Sequence, residues 1–77
     1  MILKGFVKRK DVVNAIKSMD SDQVQMIVYE DYHGEERIGS VFVLSKESMV
    51  TKNNKLRACI INNITEDFTK IEITEFL

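Results

Sequence analysis

The chain has no proline, no tryptophan, one cysteine, one histidine and three glycines. Each shortage closes a class of protein. Cys59 stands alone, so no disulfide can form within the chain; with His33 the single imidazole, a Cys/His metal cage within one chain is excluded as well. Scarce proline and glycine argue against disordered linkers, which are enriched in both. The longest uninterrupted apolar runs hold only three to four residues, as at Val41–Leu44. A membrane span needs roughly 18. The opening MILKGFVKRK has neither the apolar core nor the small-residue cleavage site of a signal peptide. No P-loop, G-x-G-x-x-G, G-x-S-x-G, C-x-x-C or H-E-x-x-H occurs, and Gly34 and Gly39 are too isolated to cradle a phosphate. The expectation is a chain in a reduced, cytoplasmic setting, with no cofactor, no metal and no membrane partner.

What is present fits one small domain over residues 1–77. The apolar fraction of 44% and charged fraction of 30% are ordinary for a globular protein. A chain of this size buries only about 60% of the surface its unfolded form exposes. Small domains add disulfides, metals or partners to compensate. With the first two excluded, self-association or docking onto another protein is the remaining route. The wealth of Lys, Asn, Ile, Glu and Asp suits an AT-rich bacterial or phage genome.

Charge is unevenly spread although the net is −1. Residues 1–17 carry +4, residues 18–36 carry −6, residues 37–57 return to +4, and residues 58–77 carry −3. The balance gives no global attraction to nucleic acid. The segregation does predict a surface with basic and acidic sides.

The clearest stretch is Val24 to Leu44, two alternating apolar runs joined by a turn at His33-Gly34-Glu35-Glu36. It reads as a β-hairpin. With a two- or four-residue loop, one face carries Val24, Met26, Val28, Val41 and Val43, and the other Ile27, Tyr29, Ile38, Phe42 and Leu44. A three-residue loop exchanges the faces of the second strand. In either register both faces are apolar near mid-strand, unlike a sheet with one solvated side.

Around it, Ile2 to Val7 reads as a strand, with Gly5 marking a bulge or close approach. Asp11 to Met19 reads as a helix, with Asp11 at its N-cap or first turn and an apolar stripe of Val12, Ile16 and Met19. Met49–Thr51 is a possible short strand, Asn53-Asn54 a turn needing positive φ, and Leu56–Ile61 a strand. Lys70 onward alternates as a strand, preceded by a turn or one helical turn near Thr65–Thr69. The string is β-α-β-β-(β)-β-β. The fold class is α+β, a small antiparallel sheet of four to six strands with one N-terminal helix packed on one face. One helix cannot cover both faces of such a sheet.

Candidate sites divide accordingly. His33 among Asp31, Glu35 and Glu36 has the residue types for acid–base work, but a turn provides neither pocket nor partner and reads as a solvated tip. Cys59 in an apolar strand reads as a buried structural thiol. The acids Glu30, Asp31, Glu35 and Glu36 do not match the spacing of a Ca²⁺ loop. No residue is assigned a catalytic role, and an enzyme is not expected.

Two binding readings remain. In the first, the chain is an interaction module, a regulator or inhibitor of a larger protein, binding another protein or a second copy of itself through a sheet face or edge. Tyr29, Tyr32, Ile38 and Phe42 are the expected contacts. In the second, Lys8, Arg9, Lys10, Lys52, Lys55 and Arg57 form a basic patch that contacts nucleic-acid phosphates.

Overall fold

The computed structural model describes residues 1–5, 7–64 and 70–76. Its elements in chain order are β1 (Ile2–Leu3), α1 (Arg9–Ser18), β2 (Gln23–Tyr32), β3 (Glu35–Ser45), α2 (Lys46–Met49), α3 (Ala58–Ile61) and β4 (Lys70–Glu75). The class is α+β: one antiparallel sheet in the order β1-β4-β2-β3, with three short helices. The C-terminal strand lies between β1 and the hairpin and pairs with both. It begins at Lys70, where the alternation of Ile71 and Ile73 against polar neighbours places it. The turn expected at Thr65–Thr69 lies outside the described residues, as does Phe6.

The hairpin turn is two residues long. His33 and Gly34 sit at φ 53° and 83°. Positive φ at both central residues is the mirror-image turn whose twist matches that of the flanking strands. From there the ladder runs Tyr32 to Glu35, Asp31 to Glu36, Glu30 to Arg37 and Tyr29 to Ile38, and then slips. Val28 pairs with Ser40, leaving Gly39 without a partner as a β-bulge. A Cβ on Gly39 would lie 3.1 Å from the Glu30 carboxylate, so a larger residue at the bulge would have to displace that exposed side chain by a few tenths of an ångström.

That single extra residue exchanges the faces of the rest of β3. Phe42 pairs with Met26 and Leu44 with Val24, so they join Val28 on the inner, core-facing side. Val41 and Val43 pair with Ile27 and Gln25 on the outer side. The faces expected for a two-residue loop are therefore corrected beyond Gly39.

The inner side chains Val24, Met26, Val28, Ile71 and Ile73 are buried. They belong to one core cluster with Val12, Val13, Ala15 and Ile16 of α1 and with Met49, Leu56, Ile60 and Ile64. The helix starts two residues before the expected Asp11. Lys8 is its N-cap and supplies no side-chain hydrogen bond; Asp11 is the first-turn acid. Asn14, Lys17 and Ser18 point to solvent, as the 3.6-residue period requires.

Residues 45–64 differ most from expectation. Instead of strands at Met49–Thr51 and Leu56–Ile61, there are two four-residue helical turns, α2 and α3, linked by one isolated bridge between Val50 and Leu56. Ser45 caps α2, its Oγ accepting from the Ser48 N–H at 3.3 Å. Across and beside α3 the buried residues Leu56, Ile60 and Ile64 recur every fourth position, with Ile60 inside the helix. That is a helical stripe, though Leu56, Ala58 and Ile60 also satisfy strand alternation. Cys59 consequently turns outward and is exposed, correcting its expected burial. The strand expected at Ile2–Val7 is confined to Ile2–Leu3 before Gly5 adopts φ 79°. Met1 extends its pairing, since its amino group donates to the Ile73 carbonyl at 3.0 Å.

Candidate functional site: an open sheet face and a basic surface

The outer face is built from rows across the strands. One row is Ile2, Glu72, Ile27 and Val41; a second is Thr74, Gln25 and Val43; a third is Lys70, Tyr29 and Ile38. Ile2, Val41, Val43 and Ile38 are exposed at 53, 53, 41 and 57%. Their counterparts on the inner face are buried or packed against the core. The shortest principal extent of the molecule is 18 Å. Layers pack about 10 Å apart, so this thickness holds two layers, leaving one sheet face open.

Four polar side chains on this face pair within the chain. Tyr29 Oη donates to Glu72 Oε2 at 2.8 Å. Lys70 Nζ donates to Glu36 Oε1 at 2.9 Å and lies 4.7 Å from the centre of the Tyr29 ring. The hydrogen bond to Glu72, more than burial, holds the Tyr29 phenol above its usual pKa. The bond to Glu36 likewise holds the Lys70 ammonium up.

The four expected interface residues are divided by the sheet. Tyr29 and Ile38 share the outer face. Phe42 lies on the inner face, half-buried and packed against the core, because of the bulge at Gly39. Tyr32 stands exposed at the hairpin end, where Arg37 lies 4.0 Å above its ring and the His33 ring meets it edge-on at 4.3 Å. The outer-face residues missed from sequence are Ile2, Ile27, Val41 and Val43. For Val41 and Val43 the signal was Gly39, which marks the slip; Ile27 already shared the expected face of Tyr29 and Ile38, and Ile2 is brought there by β1 pairing with β4.

The basic residues converge. Arg9 and Lys10 at the start of α1 and Lys55 line an open groove of about 350 Å³ with Val13, Asn54, Leu56 and Ile61. Lys52 and Arg57 line an adjoining groove of about 450 Å³ together with Lys17, Lys46, Glu47 and Asn54. Lys8 lines neither. Lys17 and Lys46 were not anticipated; Lys17 could have been found from its place on the outward side of α1.

This surface is ordered by its own hydrogen bonds. Asn54 takes φ 61° at the turn between Thr51 and Lys55, the positive φ expected there. Thr51 N–H donates to the Lys55 carbonyl at 2.7 Å, and Lys17 Nζ donates to Asn54 Oδ1 at 2.7 Å, tying the turn to α1. Arg57 Nε donates to the Glu47 carbonyl at 2.8 Å. Lys46 Nζ donates to the Met19 carbonyl.

Among the described residues no group of three or more His, Cys, Asp or Glu side chains is placed to hold a metal ion. His33 is exposed at the hairpin turn. No buried polar side-chain atom among the described residues lacks a hydrogen-bond partner. No helix among them is long and apolar enough to cross a membrane. No family model matches the chain, and no curated protein or solved structure shows a significant similarity to it.

Proposed function

We propose that the chain is a non-enzymatic interaction module whose contact surface is the outer sheet face, and that the face is covered by a second copy of the chain. The observation that carries this reading is the row Ile2–Ile27–Val41 with Val43, Ile38 beside it, apolar and open on a sheet whose other side packs into the core. In this reading α1 lies over the inner face and leaves the outer one for the partner. A second copy is supported because Lys70 is paired with Glu36 and Glu72 accepts from Tyr29 inside one chain, so among the described residues the face brings no unpaired cation that calls for an acidic partner. A two-fold arrangement makes the same surface self-complementary, apolar side chains meeting apolar side chains.

Fully burying a Val or Ile side chain is worth about 1.5–3 kcal/mol. Four side chains roughly half exposed offer about 3–6 kcal/mol per copy, twice that for a pair. Association itself costs about 4–15 kcal/mol. The balance is a weak dimer, micromolar or weaker, which suits a regulator that exchanges partners.

Amide spectra recorded across a dilution series test the reading. Concentration-dependent shifts are expected at Ile2, Ile27, Val41 and Val43. Shifts confined to the helical side, or none at any concentration, overturn it.

A further inference from the structure

We infer that the surface formed by the start of α1 and the Thr51–Arg57 turn binds the phosphate backbone of a nucleic acid. Among the described residues the two adjoining grooves are lined by seven Lys/Arg side chains and one carboxylate, that of Glu47, in a chain whose net charge is −1. These cations come from three stretches separated in sequence, Arg9–Lys17, Lys46 and Lys52–Arg57. The fold concentrates them on one side, while Glu30, Asp31, Glu35 and Glu36 are carried to the hairpin end. Distribution rather than net charge decides local attraction to a polyanion.

The surface is pre-arranged. Asn54 Oδ1 accepts from Lys17, which fixes the turn against α1 and leaves the amide hydrogens of Asn54 to donate. Arg57 is held through Nε by the Glu47 carbonyl, so its terminal guanidinium nitrogens can fork onto a phosphate. Lys10, Lys52 and Lys55 are exposed. Among the described residues no aromatic side chain lines either groove. The described lining offers cations and an amide, so the contact inferred is with the backbone, tolerant of sequence. Five of the seven cations are lysines, compact point charges that suit a dense run of phosphates better than the planar carboxylates of an acidic peptide. This surface is separate from the outer sheet face, and its test stands whatever the oligomeric state.

The experiment is anisotropy of labelled single-stranded RNA, single-stranded DNA and the matching duplex, titrated with the full chain over a range of salt. If four cations reach phosphates, the slope of log affinity on log salt is about −2.8 for single strands to about −3.6 for the duplex, a loss of roughly 50–150-fold between about 50 and 200 mM salt. The triple variant Lys10→Gln, Lys52→Gln, Lys55→Gln removes three exposed cations whose side chains make no hydrogen bond among the described residues. It is expected to keep its circular dichroism and thermal midpoint and to bring the slope to about −1. Lys4→Gln, on the β1 side, is expected to change little. No binding at the lowest salt overturns the inference. Binding that the triple variant retains with an unchanged slope overturns it too, as does tighter binding of poly-glutamate than of any of the oligonucleotides.

Discussion

Replacing Ala58 by Glu separates a helical α3 from a strand through the same residues. With α3 helical, Ile60 within it and the flanking Leu56 and Ile64 are buried at 0, 4 and 7% exposure while Ala58 and Cys59 face solvent. In a strand, Ala58 would share the inward side with Leu56 and Ile60. A glutamate at Ala58 is then either an exposed residue at the N-terminal end of a helix, or a buried unpaired carboxylate. The first changes stability by no more than about 0.5 kcal/mol. The second costs several kcal/mol. Ile60→Ala supplies the scale: its side chain is fully buried, and truncation should cost about 2–5 kcal/mol. A domain of this length is stable by only about 4–12 kcal/mol. With a urea slope near 1 kcal/mol per molar, Ile60→Ala should lower the midpoint by about 2 M or more, or abolish the transition. Urea unfolding followed by circular dichroism is the assay. Ala58→Glu is expected to unfold within about 0.5 M of the wild type. A loss at Ala58→Glu comparable with that at Ile60→Ala would refute the helical placement.

Three further outcomes are expected. Lys8→Asp, placing a side-chain acceptor at the uncapped start of α1 and an acid at its positive end, should stabilise the fold by about 0.5–2 kcal/mol in the same urea assay. Gly34→Ala, which forces a Cβ into φ 83° with open space around it, should cost about 1–2 kcal/mol through backbone strain alone. Tyr29 has a raised folded pKa through its bond to Glu72, so its contribution is full below the ordinary phenol value of 10.0 and is lost as pH rises through the folded value. Lys70, raised above 10.5 by Glu36, acts in the same direction. Stability should be flat up to about pH 10 and fall above it. In a Tyr32→Phe background, the phenolate absorbance of Tyr29 should titrate above 10.0 and move down in Glu72→Gln.

The hairpin, its turn, the strand from Lys70 and the face of α1 were legible because each rests on local periodicity or on one turn residue. The placement of Phe42 was not. It depends on Gly39, and a lone glycine in a strand signals a bulge without saying whether the register shifts there or at the loop. Residues 45–64 failed for a different reason. Four-residue helices are too short to impose a period, and Leu56-Arg57-Ala58-Cys59-Ile60 satisfies strand alternation as well as the four-residue helical step. Burial against the core selects between them, and that information lies in Met49, Val50 and the sheet rather than in the segment. The basic surface was half legible. The charges were visible in sequence, but bringing Lys17 and Lys46 beside Lys52 and Arg57 required the tertiary fold.

The central claim is that the outer face of the sheet is a contact surface between copies. Light scattering coupled to size exclusion, run across a wide concentration range on the wild type and on Val41→Lys/Val43→Lys, tests it most directly. Both valines are exposed, so the variant should keep the circular dichroism and urea midpoint of the wild type. The expected result is a wild-type mass rising toward twice that of one chain with concentration, and a variant that stays at the mass of one chain throughout. A wild type that remains a single chain at every concentration, or a variant that still pairs, would contradict the claim.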